Sequence, residues 1–256
     1  MDQSSTTPMP SQTSKQIALI TGGNRGIGLE TAKRLATDAE NYHVLMGCRD
    51  ETSGNESLST LHALGLLIEM VLIDVTDDSS IESAVETIKS RYGRLDVLVN
   101  NAGMSNDRQL GHAGISTRSL YQEQFNVNLF GAAQVTEAFI PLLQQSTTPH
   151  IVFLSSWLGS LAHRMHTTDR YYSAELPIYR TSKAALNMLC AHYATKFGDA
   201  GWKVNAVDPG HVATRLNNFK GPLPATEGAI QVVAMATIGP DGPNGAFIGR
   251  DGIVSW

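Results

Sequence analysis

A doubly wound α/β fold, with a parallel sheet of about seven strands and helices on both faces, is what this sequence predicts. Three observations carry that reading: short apolar runs alternate with longer amphipathic ones, a glycine-rich segment joins the first run to the first long one, and Gly, Asp, Asn or Pro bounds the short runs. The chain has 256 residues, 42% hydrophobic and 17% charged, enough to close one large core. The expected organisation is a disordered tail at 1–14 followed by a single domain at 15–256.

The runs 16–21, 42–48, 66–73, 95–100, 150–155 and 203–207 are each short and rich in β-branched residues or leucine, and they read as buried parallel strands. Between them, 27–37, 78–92, 125–143 and 178–197 are long and periodic enough to be helices, with Asp77 or Asp78 as a cap for the second. In such sheets ligands bind beyond the carboxyl ends of the strands.

Composition excludes several function classes. A formal net charge of −5 gives no electrostatic attraction to nucleic acid or an anionic membrane surface. No apolar stretch reaches the ~18–20 residues needed to span a bilayer. Residues 1–14 carry one acid and no base, so they lack both the apolar core of a secretory signal and the arginines of a transit peptide. Two cysteines, Cys48 and Cys190, fit a reducing compartment. The expectation is a soluble, cytoplasmic protein.

The glycine segment follows a strand and opens a helix. Gly22, Gly26 and Gly28 let the backbone approach a pyrophosphate closely and aim free amides and the positive helix end at it. The spacing is Gly-x-x-x-Gly-x-Gly, not the common Gly-x-Gly-x-x-Gly of Rossmann-type sites. Downstream, Tyr179 and Lys183 stand four residues apart, hence on one helix face, and a lysine there can lower the phenol pKa toward the range where proton transfer is efficient. No other tyrosine of the chain has a lysine four residues later.

Taken together, Thr21-Gly22-x-x-x-Gly26-Ile27-Gly28, Asp74-Val75, Asn100-Asn101-Ala102-Gly103, Asn128, Ser155-Ser156, Tyr179-x-x-x-Lys183 and Asp208-Pro209-Gly210-His211-Val212-Ala213-Thr214 resemble the short-chain dehydrogenase/reductase family, in its order and over roughly residues 16–256. The segment from 224 to Trp256 resembles the carbonyl-reductase-like branch. The resemblance implies a single Rossmann-type domain and hydride transfer between a nicotinamide and a carbonyl or alcohol carbon. It implies Tyr179 as the proton donor or acceptor, Lys183 as its activator and ribose ligand, Ser156 as the substrate-oxygen ligand, and Asn128 as the holder of a relay water. Ser155, on the other face of the strand end, is expected to support the turn.

The same resemblance implies that Gly22, Asn24, Arg25, Gly26, Ile27 and Gly28 cradle the dinucleotide. Asp74 and Val75 would meet the adenine, Asn101, Ala102 and Gly103 the adenine ribose side, and Pro209, Gly210, Val212 and Thr214 the nicotinamide and phosphates. Cofactor choice rests on the end of the second strand, where NAD-preferring relatives hold an acid. Here Cys48 falls at that place, leaving Arg49, with Arg25, to meet a 2′-phosphate, so NADP(H) is expected; Asp50 would select NAD if the strand ended two residues later.

Substrate selection is less legible. Residues 164–175 are an insertion with His163, His166, Tyr171 and Tyr172 in or beside it, and Trp157, Leu158, Leu161 and Met165 can either wall an apolar pocket or pack the insertion. The two histidines lack a third ligand, so no metal is expected. Residues 215–224 read as a short mobile lid. The oligomer stays open among monomer, homodimer and homotetramer. The expected activity is NADPH-dependent reduction of a ketone or aldehyde; an NAD-dependent secondary alcohol dehydrogenase and a non-catalytic dinucleotide sensor are the alternatives.

Overall fold

A computed structural model describes residues 15–38 and 41–256. The disordered tail expected at 1–14 lies outside the described residues. The eight-stranded sheet runs in the order β3-β2-β1-β4-β5-β6-β7-β8, formed by β1 (Gln16–Ile20), β2 (Tyr42–Cys48), β3 (Ile68–Leu72), β4 (Val97–Asn100), β5 (His150–Leu154), β6 (Lys203–Val207), β7 (Phe247–Gly249) and β8 (Gly252–Ile253). All pairings are parallel except β7 with β8. The order reverses between β1 and β4, and a crevice opens where chains leave such a switch point.

Helices cover both faces, which is why the strands are apolar without alternation. Along β1, Ile17 and Leu19 join one buried cluster while Ala18 and Ile20 join the other. The first cluster takes Ile81, Ala84 and Ile88 of α3 (Asp78–Tyr92), Val135 and Phe139 of α5 (Ala132–Leu143), and Leu186, Cys190 and Tyr193 of α7 (Pro177–Phe197). The second takes Ala32 and Leu35 of α1 (Gly26–Asp38), Leu61 of α2 (Glu51–Ala63), and Val232 and Met235 of α8 (Ala225–Ala236). Asp77 caps α3 through the Ser79 amide, and Gly93, at φ 72°, ends it by donating to the Lys89 carbonyl.

The structure departs from the sequence reading in several places. The sheet has an eighth strand, a two-residue antiparallel partner too short to show a period. The helix expected at 125–143 is α4 (Thr117–Phe125), one π-helical stretch at Asn126–Gly131, and then α5. The unread helix α2 has a weak apolar stripe, burying only Gly54 and Leu61. Gly54 packs closely on β2 and β3, since a Cβ there would run into the Met70 and Cys48 sulfurs. Also unread are α6 (Leu161–Met165), capped by Ser160, and α8, which follows Pro224 without a side-chain cap. No helix among the described residues is long and apolar enough to cross a membrane.

Candidate active site

The loop after β1 is shaped by hydrogen bonds from the end of β4. The Thr21 hydroxyl accepts from the Asn101 and Ala102 amides at 3.0 and 3.1 Å, and Asn101 Nδ2 donates to the Thr21 and Gly22 carbonyls at 2.7 and 3.1 Å. Gly22 and Gly26 have φ of +62° and +55°, a region other residues rarely enter. A Cβ at Gly28 would lie 2.5 Å from Asn101 Nδ2 and 2.6 Å from the Gly22 carbonyl, so the loop folds back on the first turn of α1 only because residue 28 has no side chain. The first amides of a helix have no intrahelical partners, and at this turn they fit a pyrophosphate. Thr214 sits over the loop, its Cγ2 3.5 Å from where a Gly26 Cβ would be, and Ile27 packs toward Gly228 of α8.

At the end of β2 the chain turns outward. Arg49 and Arg25 are both exposed, and among the described residues neither has an ion-pair partner within 4 Å. Asp50 is the N-cap of α2, accepting the Ser53 amide at 2.8 Å, and these bonds hold its carboxyl below the usual range. Asn24 Nδ2 donates to Ser53 Oγ at 3.1 Å, tying the glycine loop to the same helix. Asp74, just past β3, holds Thr76 in a tight turn through one carboxylate oxygen, at 2.9 Å from its amide and 2.7 Å from its hydroxyl. Val75 packs on the π-helical stretch: a Cβ at Gly131 would come within 2.6 Å of its carbonyl oxygen.

Tyr179, Lys183, Ser156 and Asn128 converge beyond the carboxyl ends of β4, β5 and β6. Lys183 is 3% exposed; its Nζ donates to the Leu154 carbonyl at 2.6 Å and lies 5.7 Å from the centroid of the Tyr179 ring. Gly103 is beside it, a Cβ there falling 3.7 Å from Nζ and 3.5 Å from Asn128 Oδ1. Asn128 accepts the Met104 amide and donates to the Met104 carbonyl and to Ser182 Oγ, at 2.8, 2.9 and 3.0 Å. Ser155 and Ser156 diverge: Ser155 Oγ donates to Asn187 Oδ1 at 2.5 Å inside the core, while the Ser156 hydroxyl acts on the Tyr179 phenol, lowering its pKa. Pro209 and Gly210 turn beside them, Gly210 at φ 77°, and buried Val212 bridges to Leu223.

A sequence profile described as short chain dehydrogenase matches residues 16–222. The chain belongs to the short-chain dehydrogenase family. It is similar to the short-chain dehydrogenase/reductase tropE of Talaromyces stipitatus, at 34% identity over 94% of this chain and 97% of that protein. Salutaridine reductase from Papaver somniferum superposes with a TM-score of 0.78 at 30% identity, covering 91% of this chain and 99% of the other. An NADPH-bound carbonyl reductase from chicken fatty liver superposes with a TM-score of 0.79 at 25% identity, covering 95% and 100%. This family member is therefore an oxidoreductase acting on alcohol or carbonyl groups with a nicotinamide dinucleotide.

The Tyr179 phenol is held well above its ordinary range, first by burial and then by the charges of Asp208 and Asp107, with the Ser156 bond opposing. Lys183 is itself desolvated, and its pKa is lowered to about 8.

Two carboxylates that the sequence reading left without a role hold this site. Buried Asp107 accepts the Ile178 amide on Oδ1 at 2.8 Å and the Tyr179 amide on Oδ2 at 3.0 Å, capping α7 from 71 residues away. The missing signal was an absence: α7 starts at Leu176-Pro177 with no capping side chain of its own. Asp208 accepts the Trp157 amide at 2.8 Å.

The insertion is well tied. Trp157 Nε1 donates to Asp169 Oδ2 at 2.8 Å, His163 stacks 3.9 Å from the Trp157 ring, and the Arg170 guanidinium lies 4.2 Å over that ring. Leu161 and Met165 face outward, 69% and 81% exposed, and Leu158 and Leu161 line a cavity that neither Ser156 nor Tyr179 borders. The segment expected to be a mobile lid is fastened too: Asn217 donates to the Val212 carbonyl at 2.8 Å, and Arg108 donates to the Asn217 carbonyl at 3.1 Å.

Two outcomes follow for the free protein. Asp107→Ala leaves two buried amides without partners and is expected to cost about 1–3 kcal/mol in urea denaturation. For Lys183 the unfolded side chain keeps its proton to pH 10.5 and the folded one only to about 8. Between those values the native state loses stability as pH falls, and below about 8 the full penalty stands. Lys183→Met is expected to gain about 1–3 kcal/mol at pH 7, the lost Leu154 bond offsetting part of the relief, and the gain should vanish above pH 10.5.

Proposed function

We propose that this protein is an NADP(H)-dependent carbonyl reductase that converts a ketone or aldehyde to an alcohol. The observation that carries the reading is the convergence of the Tyr179 ring, the buried Lys183 ammonium 5.7 Å from it and Asn128 beyond the strand ends, with Ser156 bonded to the phenol. A bound nicotinamide dinucleotide supplies the hydride that the carbonyl carbon receives. Ser156 donates to the carbonyl oxygen as charge grows there, and Tyr179 gives that oxygen its proton. In this reading Lys183, buried beside the Leu154 carbonyl and Gly103, holds the ribose hydroxyls and returns a proton to the phenol. Asn128 fixes the Met104 backbone that borders them.

The preference for NADP(H) rests on Arg25 and Arg49, both exposed beside the glycine loop, and on Asp50, whose carboxylate is already engaged in capping α2. A relative described as a carbonyl reductase bound to NADPH points the same way. The cradle of Gly22, Asn24, Arg25, Gly26, Ile27 and Gly28 takes the pyrophosphate and 2′-phosphate, Asp74 and Val75 the adenine, Asn101, Ala102 and Gly103 the adenine ribose, and Pro209, Gly210, Val212 and Thr214 the nicotinamide. Buried free thiols at Cys48 and Cys190 suit a cytoplasmic protein.

Tyr179→Phe is expected to abolish NADPH consumption with ketones while leaving NADPH affinity, measured by cofactor fluorescence, within a few fold; unchanged turnover ends the assignment. Arg49→Ala is expected to weaken NADPH about tenfold or more and NADH little, by isothermal titration. Equal effects on both would favour the NAD-dependent alcohol dehydrogenase.

A further inference from the structure

The insertion at 164–175 carries two adjacent tyrosines that take different neighbours. The Tyr172 ring, 43% exposed, lies 5.5 Å from the Arg164 guanidinium of α6. Tyr171 is half-buried and reaches instead the two strand ends that carry the chemistry. The Arg170 guanidinium lies 5.2 Å from the Tyr171 ring and 4.2 Å from that of Trp157, the residue after Ser156 at the end of β5. The same tyrosine ring meets His211 edge-on, at 85° with centroids 6.4 Å apart, and His211 follows the Pro209–Gly210 turn after β6. The Tyr171 ring therefore stands between the strand end bearing Ser156 and the turn assigned to the nicotinamide.

Its backbone is fixed at both polar groups. Asp169 Oδ1 accepts the Tyr171 amide at 2.8 Å while Oδ2 accepts Trp157 Nε1 at 2.8 Å, so one carboxylate, its side chain 5% exposed, locks the tyrosine to the indole beside Ser156. The Tyr171 carbonyl accepts from Arg180, the residue after Tyr179, whose guanidinium also donates to the Ala174 and Leu158 carbonyls at 3.2 and 3.4 Å. The insertion is thus tied to both catalytic elements, the end of β5 and α7. The Tyr171 hydroxyl, in contrast, makes no hydrogen bond among the described residues. A planar ring presented this firmly offers an apolar face to a ligand at little entropic cost.

We infer that Tyr171 is a specificity-determining residue: its ring, held edge-on to His211, forms an aromatic wall of the substrate cleft and selects ketones whose carbonyl is borne on an aromatic ring. The inference rests on the carbonyl-reductase reading and names its substrate class. The substrate ring packs on Tyr171 while the carbonyl oxygen faces Ser156 and Tyr179. A saturated ring of similar size fills the same space but has no π-system, so it loses the stacked or edge-to-face contact that aromatic pairs prefer.

The test measures kcat/KM with NADPH for acetophenone and for cyclohexyl methyl ketone, a pair of similar size in which one ring is aromatic and the other saturated. The proteins are the wild type, Tyr171→Leu, Tyr171→Phe and Tyr179→Phe, with NADPH affinity followed by cofactor fluorescence. Leucine keeps the amide and carbonyl that fasten the insertion and removes the ring. In Tyr171→Leu the ratio of acetophenone to cyclohexyl methyl ketone is expected to fall about three- to tenfold, with NADPH affinity changed no more than a few fold. Tyr171→Phe is expected to keep the wild-type ratio. A ratio that Tyr171→Leu leaves unmoved, or that Tyr171→Phe lowers as far, overturns the role of the Tyr171 ring, and with Tyr179→Phe inactive it leaves the reductase reading intact. Activity in Tyr179→Phe, or no NADPH consumption by the wild type with either ketone, overturns that reading and the inference with it. Should Tyr171→Leu fail to fold, Tyr171→Met carries the same comparison, because it also removes the ring and retains the bulk.

Discussion

The structure turns on one costly placement: an ammonium buried at the carboxyl end of β5. Lys183 makes no ion pair among the described residues and gives one hydrogen bond, to the Leu154 carbonyl. Neighbouring features accommodate it. Gly159 has no side chain where a Cβ would meet Lys183 backbone and side-chain carbon at 2.8 Å, Gly103 leaves room over Nζ, and the π-helical stretch brings Asn128 beside the same spot. A π-helical insertion commonly marks a functional position, because it costs regular hydrogen bonding and must be held by its surroundings. Here Met104 and Ser182 hold it.

The two titratable partners on α7 are displaced in opposite directions. Burial raises the phenol and lowers the ammonium. Sequence spacing shows which two groups share the helix face, while the direction of each shift follows from how deeply the fold buries them. Arrangements of this kind are paid for in stability, and Asp107 recovers part of it by capping the helix that carries both groups.

Much of the architecture was legible because both faces of the sheet are covered, which writes strands as continuous apolar runs: β2 and β6 have the bounds read from sequence, and α3 has its read bounds and cap. Glycines 22, 26 and 28 were legible because only they permit the loop that Asn101 closes. What escaped depends on distance in sequence. Asp107 caps a helix 71 residues away, Asp208 reaches Trp157 across 51, and Asp169 holds the indole of Trp157 from within the insertion. No local period records such contacts. The π-helical stretch left no mark either: its buried residues are Asn128 and Gly131, which extend no apolar stripe.

The central claim is that the Lys183 ammonium is starved of water in the folded protein. Nuclear magnetic resonance titration of the free enzyme with isotope-labelled lysine side chains measures this directly, the signal being assigned by its absence in Lys183→Arg. One lysine is expected to titrate at about pH 8. A Lys183 signal that titrates at its ordinary value of 10.5 would contradict the account.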